Sequence, residues 1–199
     1  MRKTLLFTLA FIAGFSIMAI ELLAGRILSP FFGGSVYVWG SIITVFMLAL
    51  SIGYLSGGRW SLHQPNLYKF GFLFLLAMAF MLPIAWVDEP ILNTLSEWID
   101  DPRYGSLAAS LVLFTLPTVV LGMISPYAIR LLIEAREASG QTAGRLYFVS
   151  TFGSAVGTLM TSFYLVLWLG IREIIVLIST LLFIGGLSAL IFAKTRGPE

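Results

Sequence analysis

Glu21 is the one carboxylate set well inside an otherwise apolar run, Leu5 to Leu28. An ionisable group at such a place is costly, so it has a partner or a task. A helix entering hydrocarbon near Leu5 rises about 1.5 Å per residue, which puts Glu21 roughly 24 Å across a core of about 30 Å. Gly14, Met18 and Gly25 share its helical face, so the carboxylate stands among residues suited to close helix packing. Two chemistries fit this arrangement. The carboxylate accepts hydrogen bonds between helices, or it serves as a proton-relay or cation-binding site. Arg26 follows five residues later, turned about 140° around the helix, and is a poor direct partner within it. Near the outer boundary, Arg26 is expected to snorkel or to pair across helices.

Other residues could join such a site. Trp39 and Tyr54 are aromatic candidates for a cavity wall or for cation contact. Tyr147, Ser150, Ser154, Gly157 and Thr161 follow one another at steps of three, four, three and four residues, which draws a polar stripe down one helix. Such a stripe lines an aqueous cavity or lets two helices approach and share hydrogen bonds. The candidate binding set is therefore Glu21, Arg26, Trp39, Tyr54, Tyr147, Ser150 and Ser154.

Catalytic chemistry is not expected. Nucleophile elbow, nucleotide-cradling glycine loop and metal-ligand cluster are all missing from the sequence, so no cofactor or metal is anticipated. The single histidine, His63, lies in the polar stretch Arg59 to Lys69 and reads as a solvated loop residue. Cysteine is absent, which excludes disulfides and thiolate metal sites. The net charge of +2 is dispersed rather than gathered in a patch, which argues against nucleic acid. Glu134 and Glu137 beside Arg130 and Arg136 read as a solvated helical end.

The elements that must hold these residues are membrane helices. Several apolar runs exceed the roughly 20 residues needed to cross a bilayer. Six spans are expected, at about 4–28, 36–57, 68–87, 106–133, 146–169 and 174–193. The basic start and apolar stretch at the N-terminus imitate a secretory signal. That stretch is too long for one and no clean cleavage site follows, so it reads as the first span. Pro30 is expected to end this span, with Gly33 and Gly34 making the turn that follows. Between spans three and four, Ile91, Leu92, Leu95, Trp98 and Ile99 recur at helical spacing. They predict a short amphipathic helix at about 90–101, lying on the membrane surface or folded over the bundle end. Pro117, Gly122 and Pro126 are expected to kink or loosen span four.

Orientation follows from Lys and Arg in the short loops. With the N-terminus inside, nine of the twelve basic residues lie on the cytoplasmic side, and Arg26, Arg103 and Arg172 lie outside. Both termini are then cytoplasmic, as expected of a multi-pass protein of a bacterial inner membrane. Single cysteines at Ser35, Ser96 and Arg172 should react with an impermeant thiol reagent from outside, and those at Gln64, Ser139 and Thr195 should not. Reversed labelling would invert the orientation, and a mixed pattern would reject six spans.

The halves carry a faint repeat. Gly53 and Gly57 in span two and Gly153 and Gly157 in span five are GxxxG pairs at corresponding places. Three spans per half would make the halves inverted relative to each other.

The stretch FIAGFSIMAIELLAGRILSPFFGGSVYVWGSIITVFMLALSIGYLSGGRW, with Glu21, Leu22, Arg26, Pro30, Gly33, Trp39, Gly53, Tyr54, Gly57 and Gly58, resembles the membrane portion of the fused MFS/spermidine synthase (transmembrane spermidine synthase-like) proteins. LGMISPYAIRL and GRLYFVSTFGSAVGTL in the second half look like the same portion, so the resemblance covers nearly all of the chain. It implies an all-α, six-helix bundle of two three-helix repeats, similar to half of a major facilitator transporter. The soluble aminopropyltransferase domain of that family is not expected here, because the sequence stops soon after span six. Near Gly57 and Gly58 the acidic residue usual in facilitators is replaced. The expected function is a half-transporter-like protein for a small solute, a polyamine or related cation, working as a homodimer. The alternative is a non-transporting scaffold for a separately encoded aminopropyltransferase subunit.

Overall fold

The computed structural model describes residues 2–133 and 139–196. Every regular element among them is helical, and the chain is an all-α membrane protein. Glu134, Arg136 and Glu137, read above as part of a solvated helical end, lie outside the described residues.

Helix α1 (Arg2–Phe32) runs through Pro30 instead of stopping before it. Proline removes one backbone donor, and here the loss falls in the last turn of the helix on the exposed side. The helix closes at Gly33, whose N–H donates to the Ser29 carbonyl at 2.9 Å with φ +80°. That left-handed conformation favours glycine. Gly33 alone supplies it; Gly34 has an ordinary φ. Helix α2 (Val36–Trp60) extends three residues past the predicted Gly57, so the Gly58–Trp60 segment is helical.

The third span departs most from expectation. Helix α3 (Leu67–Met81) is followed by α4 (Ile84–Trp98), the two meeting at 45° across Leu82-Pro83. The predicted span to Val87 and the separate helix from Pro90 are thus redistributed, with the break at Pro83 and Pro90 inside α4. Pro83 has no N–H for the turn before it, and it starts α4 by accepting from Trp86 N–H through its carbonyl at 2.9 Å. The amphipathic helix folds over the bundle rather than floating on the surface. Ile84, Ala85 and Leu92 are buried, and Arg172 Nε donates to the Ala85 carbonyl at 2.8 Å while its guanidinium faces the Trp86 ring.

Helix α5 (Pro102–Leu132) is one unbroken element despite Pro117 and Pro126. A departure from α-helical geometry lies in span five. There α6 (Ser139–Met160) passes into a π-helical turn (Thr161–Leu165), then α7 (Val166–Trp168). Helix α8 (Ile171–Arg196) completes the chain.

The helices pack chiefly as three pairs: α2 with α5, α1 with α6, and α3 with α8. Glycines make the contacts close. A Cβ at Gly53 would strike the Val119 carbonyl of α5, and one at Gly57 would sit 2.5 Å from the Met123 carbonyl. In the other half, Gly153 meets the Phe11 carbonyl of α1 and Gly157 meets that of Phe15 at the same 2.5 Å. Gly14 of α1 faces Ser150 of α6 as Gly122 of α5 faces Leu50 of α2. Each of these contacts of the first half thus has a counterpart in the second. The pairs α1·α6 and α5·α2 exchange, and Gly71 of α3 and Gly186 of α8 approach each other reciprocally, each Cβ position within 3.0 Å of the other's carbonyl oxygen. Reciprocal contact of equivalent residues is the mark of a twofold axis.

These contacts also give directions. Residue numbers rise together along α2 and α5 and along α1 and α6, so each pair is parallel, whereas α3 and α8 are antiparallel. Since α2 and α5 run the same way, the bent α3–α4 pair must carry the chain back across. Counted as one passage, it brings the crossings to six, and the twofold axis lies in the membrane plane.

Candidate functional site

The Glu21 face is framed by its glycine neighbours. Gly14, two turns toward the N-terminus, is covered by the Ser150 backbone and Ser154 Oγ of α6. Gly25, one turn toward the C-terminus, is covered by the Trp39 ring of α2, with ring carbons 2.6 and 2.7 Å from a built Cβ. Between these two covered positions Met18 and Glu21 remain half-buried. The carboxylate therefore sits in a gap between two contacts along α1, one with α6 toward the N-terminus and one with α2 toward the C-terminus. Among the described residues it has no hydrogen bond and no ion pair.

Of the predicted set, the structure places Trp39 within about a turn of Glu21, while Ser150 and Ser154 lie level with Gly14, and Tyr54 and Tyr147 lie further toward the N-terminal end of α1. Trp39 is positioned by its contact with Gly25, a pairing that only a missing side chain on α1 allows. Tyr54 of α2 and Tyr147 of α6 are close enough to interact electrostatically, and both are about half exposed. Ser150 and Ser154 serve the helix contact. Ser154 Oγ lies 3.2 Å from both the Gly14 and the Ser150 carbonyls, and Gly157 and buried Thr161 continue the same packed side. Within the polar stripe, then, the lower hydroxyls join helices and Tyr147 is left facing outward. Arg26 is exposed and off the Glu21 face, without an ion pair to Glu21.

Two features escaped sequence reasoning. The hydroxyls of Ser110, Thr115 and Thr118 on α5 and of Ser179 on α8 are buried without a hydrogen-bond partner, where helix interiors meet. Scattered Ser and Thr in apolar runs gave no hint of which would point inward. The π-helical turn follows a run in which Thr158 Oγ1 bonds back to Ser154 O at 3.0 Å and Ser162 Oγ to Thr158 O at 2.7 Å. Such back-bonding competes with the regular backbone ladder and loosens it.

His63 is exposed and meets Lys69 only through its carbonyl, which accepts from Lys69 Nζ at 2.6 Å. No group of metal-ligating side chains occurs among the described residues. The chain matches no known protein family, no curated protein and no solved structure at a significant level.

Proposed function

We propose that the protein is a half-transporter-like membrane protein that binds a small organic cation of the polyamine class at Glu21. The observation that carries this reading is the carboxylate itself, deep along α1, half-buried and without a described donor. A carboxylate placed there for helix packing would have its hydrogen bonds filled by neighbouring helices, as Ser154 has. An ammonium ligand would supply both charge and donors. Trp39, about one turn from Glu21, would offer an aromatic face to the cation's methylenes and charge. Covering the open side of this gap requires a second surface, and a second copy of the chain is the partner that fits a half-sized, internally symmetric bundle.

The test is uptake by purified protein in liposomes, run against a panel of mono-, di- and polyamines with sugars and amino acids as controls. Saturable uptake of amines alone supports the reading. Absence of uptake and of binding for every amine overturns it and favours the scaffold for a soluble aminopropyltransferase, which the same protein could be tested for by co-purification.

A further inference from the structure

The N-terminal ends of α1 and α6 lie side by side, because the two helices are parallel. Two adjoining grooves open between them, of about 570 and 580 Å³, sharing Phe7 and Val149 as their common wall. Their depth is apolar, formed by Phe7, Phe11, Val149 and Phe148, and the aromatic wall continues inward as Phe148 stacks on Phe152 at 6.1 Å. Their mouth is different. Lys3 stands on the α1 side, and Arg145 and Gln141 stand on the α6 side. Among the described residues neither lining includes a carboxylate. A third groove, between α1 and α8, has similar volume but carries hydroxyls and no charge.

We infer that the α1–α6 groove is a binding site for an anionic phospholipid of the surrounding bilayer. Its phosphate would lie at the mouth against Arg145 and Gln141, and one acyl chain would run along Phe7, Phe11 and Phe148. The pairing of charge at the rim with an apolar channel behind it is what selects a lipid over a free anion. Free phosphate would find the exposed Arg145 and Gln141 but gain nothing from the aromatic wall. A basic recess between transmembrane helices attracts acidic headgroups, whereas the uncharged α1–α8 groove gives no preference among lipids. The assignment is independent of the role proposed for Glu21, which stands two to three turns deeper on α1.

The experiment is native mass spectrometry of the purified full chain with phosphatidylglycerol or phosphatidylcholine added in equal amounts. Phosphatidylglycerol should be retained in preference. Arg145→Gln should lower its retention about fivefold, with phosphatidylcholine unaffected. Phe148→Ala, at an exposed position that the fold does not need, should lower retention of both lipids. Arg130→Gln, at a residue that lines neither groove, should change neither. Equal retention of the two lipids, or no effect of Arg145→Gln, would overturn the assignment. Displacement of phosphatidylglycerol by inorganic phosphate alone would overturn it too, leaving an anion site without a lipid groove.

Discussion

Glu21→Gln is expected to abolish amine binding while leaving the fold intact. Glutamine keeps the size and can still hydrogen-bond, but it removes the charge that would neutralise an ammonium group. A hydrogen bond to a charged partner is worth about 1.5–3 kcal/mol, so affinity should fall about ten- to a hundredfold. The companion variant separates the readings further. Since no described group donates to the carboxylate, Glu21→Leu strands nothing and removes the cost of holding a charge at this depth. Its melting temperature in detergent should therefore equal or exceed that of the unchanged protein, with amine binding gone. A structural carboxylate would give the opposite pattern, with binding kept by the glutamine variant and stability lost in the leucine variant. Either half of that opposite pattern ends the cation-site reading.

Gly57→Ala and Gly157→Ala should each destabilise the bundle, and by similar amounts. A single added methyl at either place lies within 3.0 Å of a neighbouring helix backbone, Met123 in one case and Phe15 in the other. Backbone cannot swing aside as a side chain can, so the helices must part, at a cost of about 1–3 kcal/mol. For a chain of this size that is roughly 2–10 °C in melting temperature. Gly58→Ala is the matched control, because a Cβ at Gly58 meets nothing within 4 Å. If Gly57→Ala and Gly58→Ala melt together, the close α2–α5 approach is wrong. If Gly57→Ala and Gly157→Ala differ widely, the twofold equivalence of the pairs is wrong.

Those glycines were legible in the sequence because a GxxxG pair in an apolar run has few other uses. Their partners were not legible. Nothing in Gly53 and Gly57 says that α5 rather than α1 will fill the groove, since any helix of the right direction presents carbonyls. The break in the third span shows a related limit. Pro83 and Pro90 both lack a donor, and the expected third span ran through Pro83 to Val87, with the amphipathic helix starting at Pro90. Tertiary contact decided otherwise, since Ile84, Ala85 and Leu92 bury one side of a helix that crosses the Pro90 position. Pro117 and Pro126 lie inside α5, which stays helical around them. At the site, Glu21 and its glycine face could be read from spacing. That Trp39 would close over Gly25, and that Ser154 would be spent on a helix contact, depended on neighbours more than ten residues away in sequence.

The three chief helix pairs all join one half of the chain to the other, and this bears on how the protein is made. The ribosome delivers α1 long before α6 and α2 before α5, so the glycine faces of the first three helices enter the membrane with no surface to close on. Between Gly14 and its cover at Ser150, synthesis at about 5–20 residues per second takes on the order of ten seconds. During that time the early helices rest beside lipid, or beside the insertion machinery, with Glu21 already inside. Neither three-helix repeat can settle by itself in the way that a folding domain does. The finished bundle assembles only as the last helix arrives, and a nascent chain halted before α6 would be held in the membrane with Gly14 of α1 still uncovered.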